Sequence, residues 1–406
     1  DAMVQAWVAR LTVKEAQDQL DRIRIPCGPI LTVEQVAAQE NLIHRGMIGR
    51  RVDPLTGRNM LIPGSAFKAS LSPGKAAAHI PAPNEDRQYM KAALDGWRRD
   101  DAGHESDADS SKPLAGIRVL EIGQFTAAPL AARQLGALGA EVIKIEPPGG
   151  EGSRKWGPGQ GGLGYFFMFN NNDKDGMVLD LAKNQDRKTL LELLKGADIL
   201  VENLKPGAIE KFGFDVNFLK KTNPRLIYCA VSGFGRESIY PGRPAFDTVL
   251  QAMCGVMDLT RSGGTPMKTG ISIADVLGGE YALFAILAAL EFRERTGVGQ
   301  FIDLAMQEVV AWATQMEWGR PARRDGLAIV RCDDGYVAVE GPHDDLASWM
   351  KSQEADTGHR NVSLDRKAMM EAAERAGLRS VPVCSVNEVL ASPHAIARGV
   401  IVQRPD

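Results

Sequence analysis

At 406 residues the chain exceeds what one hydrophobic core usually serves, so two or more domains are expected. Apolar content of 44% and charged content of 24% are ordinary for a globular chain and exclude a disordered or fibrous one. A net charge of −3 gives no field that would gather nucleic acid or an acidic membrane surface, so neither is expected as a partner.

Asp1 lies within what reads as an amphipathic helix rather than a signal peptide, and a second helix is expected at Val13–Arg22. Gly28–Ile48 then matches Val381–Ile401 without a gap, at an offset of 353 residues. Pro29/Pro382, Val33/Val386, Val36/Val389, Ala38/Ala391, Arg45/Arg398, Gly46/Gly399 and Ile48/Ile401 coincide. Each copy runs from a Pro step through a short helix to Arg-Gly and a strand-like run. A period this long predicts a duplicated domain rather than a solenoid. A helix near Asn84–Trp97 closes the section, and the polar run 99–113 reads as a linker.

From Leu114 the pattern alternates. Strands are predicted at Ile117–Ile122, Glu141–Ile145, Met177–Leu181, Ile199–Val201 and Arg225–Ser232, with helices at Ala128–Leu138 and Arg187–Leu194 between them. Short buried strands separated by helices predict an α/β fold with a doubly wound, Rossmann-like parallel sheet over 114–315. Helices are expected near Asp247–Leu259 and Asp275–Arg295, followed by the apolar run Phe301–Ala313. The most apolar stretch, Tyr281–Phe292, is too short for a bilayer and predicts a buried helix. Strands Leu327–Val330 and Tyr336–Val339 flank Asp333-Asp334-Gly335, a hairpin turn that opens a smaller α+β domain over 316–406.

Five scattered cysteines without CxxC predict reduced thiols, a cytoplasmic location and no metal site. All six histidines lie outside residues 105–342, so acid–base or nucleophilic work in the α/β body falls to carboxylates. The first strand–helix turn, Gly123-Gln-Phe-Thr-Ala-Ala-Pro129, lacks GxGxxG and so disfavours a dinucleotide. Its small residues either admit a ligand close to the backbone or only pack. Glu202-Asn-Leu-Lys-Pro-Gly207 is expected to open a helix at Pro206, whose free N–H groups with Lys205 and Lys211 either hold phosphate or simply face solvent. Asp275 is the sharpest candidate, where a strand-like run gives way to a long apolar helix. A carboxylate there is stabilised as the anion by the helix dipole, and it is either a nucleophile or an ordinary N-cap. Gly278 and Gly279 are expected to leave room for substrate.

With these residues in hand, the chain resembles the family III coenzyme A transferases, the group of formyl-CoA and carnitine CoA-transferases. The landmarks are Leu114-Ala-Gly-Ile-Arg-Val-Leu-Glu121, Leu138-Gly-Ala-Glu-Val-Ile-Lys-Ile-Glu146, Glu202-Asn-Leu-Lys-Pro-Gly207, Asn223-Pro-Arg-Leu-Ile227, Ser232-Gly-Phe-Gly235, Ile273-Ala-Asp275 and Thr296-Gly-Val-Gly-Gln300. Ile25-Pro-Cys-Gly-Pro-Ile30 followed by Arg45-Gly46 resembles the family's carboxyl-terminal segment. Residues 1–98 thus resemble the end of one unit, and 114–406 a second unit without its last segment. The layout resembles the two-unit dimethylsulfoniopropionate CoA-transferase/lyase.

The resemblance implies that Asp275 is the nucleophile, with backbone amides near Gly278 and Gly279 steadying the oxyanion. It implies that Gln124, Phe125 and Thr126 pack against coenzyme A, and that Leu179, Asn203, Leu204, Lys205 and Lys211 line its nucleotide. It further implies CoA transfer from an acyl-CoA to a carboxylic acid, CoA as substrate with no tightly bound cofactor, and an interlocked homodimer or an intrachain pseudo-dimer. Pro147 departs from a basic residue in formyl-CoA transferase, and that enzyme's Gly-rich loop is missing from Gly319–Gly341, which disfavours oxalate and formate. A transferase coupled to a lyase, a racemase branch and a non-catalytic binding half are the alternatives. The racemase histidine expected after Ser232-Gly-Phe-Gly235 is missing from Arg236–Asp247.

Overall fold

In the computed structural model, residues 2–52, 57, 59–73, 112–160, 163–262, 264–318, 325–356 and 364–398 are described. They fall into two compact units, Asp1–Gly319 and Arg320–Asp406. The expected helix at 84–97 and residues 99–111 of the expected linker lie outside the described residues.

The apolar runs of the larger unit become β4 (Arg118–Ile122), β5 (Glu141–Glu146), β6 (Asp175–Val178), β7 (Ile199–Glu202), β8 (Ile227–Ser232) and β9 (Phe301–Ala305). All six pair in parallel, in the order β9-β8-β7-β4-β5-β6. Alternate residues serve opposite faces. Val119, Ile199, Val201, Cys229 and Val231 join one apolar cluster, whereas Leu120, Ile122, Leu200, Tyr228 and Ala230 join another. Helices α5 (Ala127–Ala137), α9 (Asp247–Met253), α11 (Ile273–Thr296) and α12 (Met306–Ala313) contribute to the first cluster. Helices α7 (Asn184–Gly196) and α8 (Val216–Thr222) cover the other face. The doubly wound α/β sheet is therefore as expected. Its strand order reverses between β4 and β7, and in such sheets the crevice outside the strand ends at that point is where ligands bind.

The structure refines the sequence reading in three places. The expected helix over Asp247–Leu259 breaks at Gly255, at φ +81°, leaving α10 as Val256–Leu259. The run Phe301–Ala313 divides into β9 and α12. Helix α11 has 24 residues, long and apolar enough to cross a membrane by composition. Instead it lies along α5 and the sheet, with Ala274, Gly278, Gly279, Ala282, Ala285, Ile286 and Ala289 buried, although Phe284 stays 60% exposed.

The amino-terminal segment completes this unit. After α1 (Ala2–Val8) and α2 (Val13–Arg22), helices α3 (Val33–Val36) and α4 (Glu40–His44) lead to a hairpin of β1 (Ile48–Val52) and β2 (Asn59–Pro63). Strand β3 (Lys68–Ala69) then adds antiparallel to β9 as the seventh strand. Val36, Leu42 and Met47 are fully buried. The Leu31 N–H donates to the Ala252 carbonyl at 2.9 Å. Asn41 donates to the Phe234 carbonyl and to Gln307 Oε1 at 3.2 and 2.8 Å. Its own oxygen accepts from Ser238 and the Ile239 amide. Arg45, buried to 3% exposure, reaches Glu308 with two nitrogens at 2.7 and 3.1 Å and Asp303 at 2.9 Å.

In the smaller unit, β10 (Asp325–Cys332), β11 (Gly335–Pro342) and β12 (Arg379–Val383) form an antiparallel sheet backed by α13 (His343–Asp356) and α14 (Arg366–Arg375). The hairpin turns at Asp333-Asp334 as predicted. The carboxyl-terminal copy of the repeat builds α15 (Val386–Leu390) and α16 (Pro393–Ala397). Both copies open on the same capping box, Thr32 with Gln35 and Ser385 with Glu388. Their burial differs: Val33 and Val36 are 7% and 0% exposed, their counterparts Val386 and Val389 74% and 50%.

Candidate active site

The turns after β4 and β7 meet at the switch point. The Gln124 N–H donates to Asn203 Oδ1 at 2.8 Å, and Asn203 Nδ2 returns a bond to the Gln124 carbonyl at 2.8 Å. Phe125 takes a left-handed backbone, φ +59°, which costs a bulky residue about 1–3 kcal/mol. A buried ionic ladder holds it there. Glu151 accepts the Phe125 N–H at 3.0 Å, and Lys144, bonded to Glu121 at 2.8 Å, donates to the Gly123 carbonyl at 3.0 Å. Lys174 completes the ladder on Glu121, the Pro129 carbonyl and Asn171, and burial pulls its pKa down to about 8. The Phe125 ring meets Trp156 edge-on at 5.7 Å. Thr126 is buried at 5% exposure and its hydroxyl has no hydrogen-bond partner among the described residues. Sequence reasoning named Gln124, Phe125 and Thr126 as site residues but not Glu121, Lys144, Glu151 and Lys174, which are scattered in sequence and unite only in space.

Three site expectations change. No α-helix opens at Pro206: a turn leads into the 3-10 segment Glu210–Phe212, so there is no array of helix amides for phosphate. The loop is instead held by Glu202, which accepts the Leu204 N–H at 2.6 Å and the Tyr228 hydroxyl at 3.0 Å. Burial lifts the Glu202 pKa to about 7. The side chains of Lys205 and Lys211 remain exposed at its rim with no hydrogen bond or ion pair among the described residues. Leu179 is buried at 6% exposure among Ile122, Ile145 and Leu200, where it packs the core rather than an open face.

Gly278 and Gly279 also differ from expectation. A Cβ on Gly278 would lie 2.9 Å from Met306, and one on Gly279 would lie 2.9 Å from the Ala127 carbonyl oxygen and from Leu130. They make close helix contact rather than room for substrate. Both lie beyond the first four helical positions, so their N–H groups serve the helix ladder and are not free to hold an oxyanion. Gly279→Ala illustrates the balance. An open helical site would gain about 1 kcal/mol from the change. Here the clash with backbone outweighs that, and a net loss of about 1–2 kcal/mol is expected. A raised melting temperature in this variant would rule out close packing as the reason for glycine.

That contact sets the second turn of α11 on the first turn of α5, with Asp275 one turn before Gly279 and Gln124–Thr126 just ahead of Ala127. Asp275 is half-buried and its carboxyl makes no hydrogen bond among the described residues. It is not the N-cap: Ser272 holds that position without a side-chain bond. The cap comes from another helix. Buried Asp247, in the first turn of α9, accepts the Ala274 N–H at 2.9 Å and Gln251 Nε2 at 2.8 Å, and forms an ion pair with Lys268 Nζ at 3.1 Å. The dipole does not keep Asp275 easily ionised, because burial and then the Asp247 charge push its pKa up to about 7, against a partial pull from Lys268. Asp247, Gln251 and Lys268 were missed in sequence. The one available signal was an Asp at i with a Gln at i+4 on a predicted helix.

The sequence profile described as "CoA-transferase family III" matches residues 1–87 and 114–357. Succinate–glutarate CoA-transferase of Agrobacterium fabrum is 31% identical over 338 residues, spanning 71% of this chain and 84% of that protein. Acetyl-CoA:oxalate CoA-transferase of Acetobacter aceti is 41% identical over 197 residues, 48% of this chain and 51% of that protein, so the chain spans about half of this relative's length. A CAIB/BAIF family protein from Brucella suis has a similar solved structure, with a TM-score of 0.62, 29% identity and coverage of 71% of this chain and 88% of that one. The chain belongs to CoA-transferase family III and is an enzyme of the CoA-transferase type.

Proposed function

We propose that this protein moves coenzyme A from an acyl-CoA to a carboxylic acid through a covalent intermediate on Asp275. One observation carries the reading. The acid at the head of α11 is relieved of capping by Asp247, its carboxyl makes no hydrogen bond among the described residues, and it lies one turn before Gly279, which packs on Ala127 at the end of the Gln124–Thr126 turn. A pKa of about 7 makes it more basic than an ordinary carboxylate while leaving a large ionised share at neutral pH.

Its oxygen attacks the thioester carbonyl, the C–S bond breaks, and an aspartyl–acyl anhydride and a CoA thiolate form. The thiolate attacks the aspartyl carbonyl, giving an aspartyl-CoA thioester and releasing the donor acid as its carboxylate. The acceptor carboxylate displaces the thiolate to give a second anhydride, and the thiolate takes the new acyl group, freeing Asp275. One hard exchange becomes several easier ones. Exposed Lys205 and Lys211 would meet CoA phosphates as point charges, and the Asn203–Gln124 pair would hold the turn facing the pantetheine.

The relatives' names include succinate, glutarate and oxalate, so short dicarboxylic acids are the first acceptors to screen. The matched helix pairs with their shared capping boxes support a tandem arrangement of units, and thus an internal or intermolecular pairing of two transferase folds. To test the intermediate, the enzyme is mixed with acyl-CoA, quenched with hydroxylamine and digested. A hydroxamate on the peptide carrying Asp275 is expected. An unmodified Asp275 under conditions of full turnover would exclude the covalent route.

A further inference from the structure

Resting on that reading of Asp275, we propose that Asp247 and Lys268 form a positioning pair that caps α11 from outside and sets the pH at which Asp275 becomes reactive. The geometry has two parts. Asp247 Oδ1 takes the Ala274 N–H at 2.9 Å, a donor that an acid on α11 itself would otherwise compete for. Its Oδ2 is shared by Gln251 Nε2 at 2.8 Å and Lys268 Nζ at 3.1 Å, which pins the carboxylate in one orientation. Gln251 is fully buried and its oxygen takes the Thr269 amide and hydroxyl, both at 3.0 Å. The strand-like approach to α11 that carries Lys268 is thereby tied to α9. Two separate stretches of chain converge on the helix head, and the Asp275 carboxyl makes no hydrogen bond among the described residues.

The charges around Asp275 come from two elements. Asp247 on α9 raises its pKa and Lys268 on the preceding loop lowers it. Helices α5 and α12 present Ala127, Leu130 and Met306 to the following turn, none of them charged. Glu280 of α11 is held by Gln134 of α5 at 3.1 Å. Removing either member of the pair therefore changes the field at Asp275 with opposite sign.

The test is the acid limb of kcat/KM against pH in three variants of the full chain. Asp247→Asn keeps an oxygen for the Ala274 amide but loses the negative charge, so the limb moves down by ~1 pH unit or more. Lys268→Met moves it up by a smaller amount. A pair that only stabilised the fold would lower activity evenly across pH, and two unmoved limbs overturn the proposal. Lys268 is a third exposed, so Lys268→Met carries the test if Asp247→Asn does not fold. Asp275→Asn separates the two readings. Retained transfer in that variant defeats the assignment of the nucleophile, whereas its loss with unmoved limbs in the other two defeats only the role of the pair.

Discussion

Asp275→Asn is expected to lose transfer by at least ~10³-fold and, above neutral pH, to melt at a higher temperature than the native chain. On the proposed route the loss follows because an amide cannot form the anhydride. The gain follows from the proton balance. An unfolded aspartate titrates near ~3.9, whereas burial and Asp247 hold the folded group to about 7. The folded state thus binds this proton more tightly than the unfolded one. Its contribution is full below the unfolded pKa and is lost as pH rises through 7. With asparagine there is no charge to bury, so the advantage is on the order of 2 kcal/mol at pH 8 and vanishes below pH ~4. Melting curves of both proteins at these two pH values check it. An advantage equal at both would show that the carboxyl is not strained by ionisation, and the chemical argument for Asp275 would lose its support.

Arg45→Ala is expected to cost about 3–5 kcal/mol, because it leaves Glu308 and Asp303 facing one another in a dry site. Burial opposes the charge on Arg45, but Glu308 and then Asp303 more than offset it and hold the guanidinium charged. Without it, Glu308, whose pKa burial already raises, escapes by taking up a proton, so the penalty grows with pH. The effect should be localised as well as large. Strand β3 pairs at Asp303 and Ile302, and Gln300 holds the Leu71 and Ser72 amides, so the Ala69 and Ser72 amides should lose protection from hydrogen exchange. Denaturation midpoints and exchange rates are the measurements. A variant with native stability would mean that apolar contacts at Val36, Leu42 and Met47 suffice to seat the segment. Glu308→Gln added to Arg45→Ala should restore part of the loss, since it removes the charge left stranded.

The same triad shows why the packing of residues 25–72 was only partly legible. The repeat singled out Arg45 and Gly46, because identical residues 353 positions apart mark a local motif. Capping boxes then reproduced the same helix pair in both places. Local hydrogen bonding is a property of a few consecutive residues, so it could be read from them. Where each copy docks is not, and one is buried on the sheet unit while the other exposes Val386 and Val389.

The site divides along the same line. The short buried strands, the long apolar helix and the acid at its start are matters of neighbouring residues, and the sequence alone determined them. The tertiary structure decided that Asp247 rather than Asp275 caps α11, that Gly278 and Gly279 pack against α5 and Met306, and that Pro206 begins a turn. It also gathered Glu121, Lys144, Glu151 and Lys174 beneath the Phe125 turn. Each of these depends on burial and on charges brought together from distant positions. The free energy of an ionised group is set by everything within a few ångströms of it, and that neighbourhood exists only once the chain has folded.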